Sequence, residues 1–327
     1  MAVMNSLRLL IGAAVLFATF PGLAAAAWPD RTITLVHGFG TGGNADVIAR
    51  IVADRLSERL GQPVVVEPKT GAGGRVAAAY VARAPADGYT LFILTGGYAV
   101  SAALYEKLNY DTLNDFTFIS PLTEIPFVLA TYPDHPVQSV PDLIKTLKSA
   151  AKPMFYGTSG TGTTQHLSGA LFAAMAQVNL RHVPSQGGTA VTTMLLGKHI
   201  DFVFETPTLT LELVKSGQLR ALGTTGKTRF FALPDVPTIG EAIPGYETSS
   251  WLGLGAPSKL ADDIVKRLHS ETTAILAEPE VIAKFQALGS LPFASTPAAF
   301  KERVAADMAK WSKAVADAGI KRVGAPQ

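Results

Sequence analysis

The chain contains no cysteine among its 327 residues. Disulfides, cysteine nucleophiles and thiolate metal sites are therefore excluded, and the apolar core must hold the fold. Its six histidines show no His-x-x-x-His or His-Glu-x-x-His spacing, so no metal site is expected. Charged residues are sparse, at 17% of the chain, and form no basic run; nothing suggests nucleic acid as a partner. Beyond the N-terminus no apolar stretch approaches the roughly 18 residues that suggest a membrane span, so the mature chain is expected to be soluble.

What the N-terminus does have is the order of a secretory signal. Arg8 stands alone among residues 1–8, residues 9–20 are almost wholly apolar, Pro21-Gly22 breaks the run, and Ala25-Ala26-Ala27 offers small residues for cleavage. An apolar core of ~12 residues is too short to span a bilayer, which takes about 20. Residues 1–27 are thus expected to be a signal peptide cleaved after Ala27, with export to the periplasm. No cysteine lies near the cleavage site, which excludes a lipoprotein anchor. Without Arg8 the mature chain carries 27 basic against 26 acidic residues. A nearly neutral protein that binds an anion must do so by local means.

Short β-branched runs alternate with helical apolar stripes along the rest of the chain. Strands are expected at 33–36, 63–66, 89–94 and 116–119, with helices at 45–60 and from Gly71 to 84. A second series follows. Its strands are 127–132, 154–157, 180–183, 200–204 and 219–224, with helices at 140–149, up to 177, up to 196 and up to 216. Such alternation indicates parallel sheets covered by helices, an α/β fold. The two series rhyme: strand, Gly-rich turn, helix and strand at 33–66 recur at 154–183. The strands that begin at Pro126-Phe127 and Trp251-Leu252 read as crossovers between two lobes. The expected division is lobe 1 at 28–126 plus 252–327 and lobe 2 at 127–251. A last helix at 297–318 packs its stripe of Phe300, Val304, Met308, Trp311 and Val315 on lobe 1.

Three Gly-rich turns, at 38–43, 158–164 and 187–189, sit at the carboxyl ends of expected parallel strands, and each opens a helix. Helix N-termini present free N–H groups and the positive end of the dipole, and glycine lets a ligand reach the backbone. Two lobes with such turns facing one another make a cleft for an anion. Enzyme readings fare worse. Gly38-Phe39-Gly40-Thr41-Gly42-Gly43 fits the dinucleotide fingerprint, with Glu67 ending the next strand, but export and the repetition of the turn in lobe 2 argue against an oxidoreductase. Gly157-Thr158-Ser159-Gly160-Thr161 falls short of the nucleophile elbow at its last position. His166 and His182 read as structural. No catalytic residue and no cofactor are expected.

These segments resemble the substrate-binding proteins of tripartite tricarboxylate transporters, the Bordetella uptake-type (Bug/TctC) family. The marks include Trp28-Pro29-Asp30-Arg31, Gly42-Gly43-Asn44-Ala45-Asp46 and Gly71-Ala72-Gly73-Gly74, then Asp87-Gly88-Tyr89-Thr90 and Gly160-Thr161-Gly162-Thr163 with His166. His182-Val183-Pro184, Pro234-Asp235-Val236-Pro237, Trp251 and Ala256-Pro257 complete them. The resemblance implies a type II periplasmic-binding fold: two α/β lobes joined by two crossover strands, with a ligand cleft between them. It also implies a small carboxylate ligand, aliphatic or aromatic, held mostly by backbone amides and hydroxyls, and membrane transporter subunits as partners of a monomer. A receptor for a membrane signalling protein is the alternative. Carried over by position, the ligand-binding residues are Phe39, Gly42 and Gly43 in the first turn and Ser159, Thr161, Gly162 and Thr163 in the second. The third turn supplies Gly187, Gly188 and Thr189. Asp46 is expected to cap its helix or brace the loop. The chain departs from the family pattern at Gly38 and Thr41, where prolines are usual, at Ser185-Gln186, and at Glu205-Thr206 in place of Asp-Asn. Loss of the first proline is expected to loosen the loop. Glu205 reaches one methylene further into the cleft and joins the expected binding residues. Tyr98 and Phe39 are expected to pack at the core or rim.

Overall fold

The computed structural model describes residues 28–324; the expected signal peptide lies outside them. β1 (Ile33–His37) leads into α1 (Asn44–Leu60), whose stripe of Ile48, Val52 and Leu56 is buried and which Gly61 ends in the left-handed conformation. β2 (Val64–Pro68) follows. The glycines at 71–74 do not open a helix to Ala84. Positive φ at Ala72, Gly73 and Gly74 limits them to a 3-10 turn, Ala72–Gly74, and the regular helix α2 is only Arg75–Val81. β3 (Thr90–Thr95) runs directly into α3 (Gly96–Leu104). Apolar periodicity did not mark α3, because it is buried nearly all round and has no polar face to set a helical period.

β4 (Phe116–Ile125) and β5 (Val128–Thr131) are followed by α4 (Val140–Ser149), which starts on a Ser139 cap. Next come β6 (Met154–Thr158), α5 (Thr164–Ala176), β7 (Leu180–Pro184) and α6 (Gly188–Leu196). β8 (Phe202–Glu205), α7 (Pro207–Lys215), β9 (Arg220–Thr224) and the short α8 (Ile239–Ala242) complete this run. β10 (Ser250–Pro257), α9 (Asp262–Leu276), α10 (Pro279–Ala287), β11 (Leu291–Pro292) and α11 (Pro297–Asp317) end the chain.

Two sheets result, ordered β11-β4-β10-β3-β1-β2 and β7-β6-β8-β5-β9. In each, the first strand of a Gly-turn unit lies parallel between two others: β1 between β2 and β3, β6 between β7 and β8. The chain passes from one sheet to the other twice. It leaves at 126–127, where Phe127 N–H already donates to Thr225 Oγ1 of the second sheet (2.8 Å). It returns at 248–250, where Thr248 still donates to Thr225 O and Ser250 pairs with Ile125. The two passages therefore run side by side.

Each sheet is covered by apolar helix faces. Phe300 of α11 meets Phe118 and Trp251 edge to face, and a Cβ on Gly253 would come 2.2 Å from its ring; glycine is needed for that close approach. Trp311 and Val315 carry α11 onto α3. No helix among the described residues is long and apolar enough to cross a membrane.

Candidate functional site

Five helices begin on one cavity of about 50 Å³ between the sheets. Gly43 and Asn44 bring in α1, Thr95 and Gly97 α3, Thr163 and Thr164 α5, Gly188 α6, and Thr206 α7. The strand-to-helix order forces this, since β1, β3, β6, β7 and β8 all end towards the gap and lead into a helix there. Four of the five starts, those of α1, α3, α6 and α7, have no side chain accepting from their first N–H groups. Only α5 is capped from within, by Thr163 Oγ1 accepting from His166 N–H at 3.2 Å. Unpaired N–H groups and aligned dipole ends make such a cavity electropositive without a cation. Phe39, Ile125, Phe127, Leu209 and Leu252 form its apolar walls, and Glu205 is the sole charged residue type lining it.

Of the residues expected to bind, Phe39, Gly43, Ser159, Thr163, Gly188 and Glu205 line this cavity. Gly42, Thr161, Gly162, Gly187 and Thr189 do not; they stand where the two halves touch. A Cβ on Gly42 would lie 3.7 Å from Thr189 Oγ1, and one on Gly187 would lie 3.2 Å from Gly40 N. Thr161 O accepts from Tyr105 Oη (3.4 Å) and Gly162 O from Ser101 Oγ (3.3 Å). The sequence reading missed the starts of α3 and α7. Their signals were present, as Thr95-Gly96-Gly97 directly after a strand and as Pro207 at a first helical position. Gln165, in the first turn of α5, and Ser250 and Leu252 of β10 also line the cavity; the latter two are brought there by pairing with β4 that no local pattern announces. Tyr98 is core: it is buried and stacks on Tyr110.

The buried Asp46 carboxyl braces the first turn. Asp46 accepts from Gly42 N–H (2.9 Å) and from Arg50 Nε and Nη2, and its Oδ1 lies 3.1 Å from His37 Nε2. Burial pushes its carboxyl up, but Arg50 and the Gly42 amide outweigh this and hold it below the usual carboxylate range. Asp46 thus braces the loop and stays off the cavity wall. Gly38 has a packing reason, since a Cβ there would sit 2.4 Å from Gly74 Cα. In the second turn, His166 Nδ1 accepts from Gly162 N–H (3.4 Å) and His182 Nε2 lies 2.6 Å from Thr158 Oγ1. Their ring centroids lie 4.1 Å apart, with the planes tilted by 33°. Burial lowers His166 to about 4; burial, with His166 beside it, lowers His182 to about 3.

Three polar atoms of cavity-lining residues have no protein partner, Ser159 Oγ, Glu205 Oε2 and Thr206 Oγ1. Ser159 therefore has no histidine bonded to it to act as a base. Glu205 is wholly buried, with Oε1 accepting from Thr206 N–H (2.7 Å) and, more distantly, from Gln165 Nε2 (3.5 Å). Burial raises its pKa, and the Thr206 and Gln165 donors offset this only in part. Glu67, the acid of the apparent dinucleotide fingerprint, is paired with Lys69 at 2.6 Å.

Comparison with known proteins agrees with this architecture. A family described as tripartite tricarboxylate transporter family receptor matches residues 48–320. Protein BugT of Bordetella pertussis is 31% identical over 325 residues, covering 97% of this chain and 99% of its own length. Among solved structures, R. palustris Rpa4515 with adipate superposes with a TM-score of 0.87 at 36% identity, covering 90% of this chain and all of the other. MatC from Rhodopseudomonas palustris with bound malate gives 0.84 at 29%, covering 88% and 100%. The fold is accordingly the type II periplasmic-binding fold, two α/β lobes around a cleft.

Proposed function

Because the chain belongs to the tripartite tricarboxylate transporter receptor family, we propose that it is a periplasmic, non-catalytic receptor that closes on a small aliphatic dicarboxylate and presents it to the membrane subunits of such a transporter. The observation that carries this reading is the convergence of helix N-termini from both lobes, α1 and α3 from one and α5, α6 and α7 from the other. A carboxylate at each side would take backbone N–H donors and the positive dipole ends, with the apolar walls around the chain between them. Ser159 Oγ supplies a further donor. Adipate and malate, in the structures of Rpa4515 and MatC, are ligands of this chemistry. Phe39 and Phe127 are the only aromatic side chains on the wall, which favours aliphatic over aromatic acids.

In this reading 28–126 with 252–327 is one lobe and 127–251 the other, and they rotate about the paired passages at 126–127 and 248–250. The protein acts as a monomer, delivered by its signal peptide. Closure buries the ligand and creates the surface that the transporter reads. The test is thermal unfolding of the mature protein against malate, succinate, adipate, citrate and benzoate. A ligand at 100 times its Kd adds about 2.7 kcal/mol of stability, so one dicarboxylate should raise Tm clearly. A folded, ligand-free protein silent to the whole panel would overturn the proposal.

A further inference from the structure

We infer that Glu205 meets its ligand as a neutral acid, donating a hydrogen bond from Oε2 to one carboxylate oxygen of the ligand; this rests on the carboxylate reading above. Glu205 ends β8 with its carboxyl group on the cavity wall and 1% exposed. Oε1 is occupied by the Thr206 N–H and the Gln165 amide, while Oε2 has no partner. It lies beside the start of α6, where a Cβ on Gly188 would come 3.0 Å from it. An anionic ligand drawn to that helix start must approach Oε2. Two carboxylates meeting in an enclosed site repel unless one carries a proton or a cation lies between them.

No cation is placed to do this. Among the described residues, no Lys, Arg or His stands on the cavity wall. On the elements packed around Glu205, His166 and His182 face one another and Thr158, and Arg50 is committed to Asp46 beside His37. Asp201, before β8, accepts from Phe155 N–H, and Lys215 of α7 pairs with Glu212 at the surface. The proton therefore resides on Glu205, and burial favours that state. A neutral carboxyl donates one O–H and keeps its acceptor capacity, so it would discriminate against ligands that present an ammonium or only donors at this point.

The consequence is linkage. Affinity should be independent of pH while Glu205 is protonated in the free protein, and should fall about tenfold per pH unit above its pKa, where binding must take up a proton. Infrared difference spectra of the ligand-free protein against Glu205→Gln at neutral pH provide the first test. A protonated-carboxyl C=O band that shifts in D2O and is missing in the variant is expected; its absence from the wild type overturns the proposal. Isothermal titration with malate and with adipate, from mildly acidic to mildly alkaline pH, is the second. The wild type should lose affinity on the alkaline side, while Glu205→Gln, which keeps a donor, should bind with a flat profile. A wild-type affinity that increases as pH rises, or an alkaline loss that Glu205→Gln reproduces, overturns the inference. Heat from neither acid, with the infrared band present, would overturn the carboxylate partner while leaving the neutral side chain established.

Discussion

At the scale of single residues, the site is built by atoms that hold the backbone in place more than by atoms that face the cavity. Asp46 is the clearest case, with two acceptor oxygens serving Gly42, Arg50 and His37. Asp46→Ala should leave the buried His37 Nε2 without its partner, free the Gly42 amide, and cost about 2 kcal/mol, read by urea unfolding. It should also weaken ligand binding; an unaltered denaturation midpoint would refute the bracing role. Gly43 differs, because its φ of −75° suits any residue. Gly43→Val should fold, place its side chain at the start of α1, and lose ligand binding by at least tenfold in titration; full affinity in a folded variant would remove that helix start from the site. The expected roles of Gly43 and Asp46 came from their place beside a helix start. That Glu205 has a lone unpartnered oxygen could not be read this way, because it depends on which atoms of α5 and α6 come to lie next to it.

Elements impose their own constraints. The second turn is tied to α5 and β7 by His166 and His182, both neutral when folded and both lowered by burial from 6.5, to about 4 and about 3. The unfolded chain binds these protons first, so stability is complete above about 6.5 and falls as pH drops towards 4, by at most about 1.4 kcal/mol per pH unit for each histidine. Replacing His182 by Gln should make the acid limb of the unfolding midpoint shallower, and an unchanged limb would count against the pair. In the first lobe, Phe300 joins α11 to β4 and β10. Phe300→Ala should cost about 3–5 kcal/mol through the cavity it leaves, measured by chemical denaturation; a loss under about 1 kcal/mol would show that α11 is dispensable to this core. The α11 stripe was visible in sequence because one face is polar. α3 was not, because burial on all sides erases the contrast on which periodicity depends.

At the scale of the whole molecule, the lobes approach through glycines. A Cβ on Gly73 would stand 2.5 Å from Thr161 O across the gap. Gly73→Ala should therefore act as a wedge. Small-angle scattering should show the wild type contracting with its dicarboxylate and the variant remaining expanded, with affinity reduced about tenfold or more because the closed state is penalised. Contraction equal to that of the wild type would mean that the glycine contact does not gate closure. A positive φ at this position adds local strain, so the apo variant's own unfolding curve serves as the control.

Sequence alone determined the alternation of strands and helices, the repetition of the Gly-turn unit, the absence of thiol chemistry and the family resemblance. Each of these is written in local spacing and composition, which a chain carries before it folds. The tertiary structure decided which turns share a wall. It drew α3 and α7 to the cavity, moved Gly42, Thr161, Gly162, Gly187 and Thr189 to the contact between lobes, and sealed Glu205 beside Gly188 with one oxygen unmatched. Those outcomes depend on sheet order and on the two antiparallel passages between lobes, which join residues about a hundred or more positions apart, as Ser250 to Ile125. Local patterning contains no term for such long-range pairing.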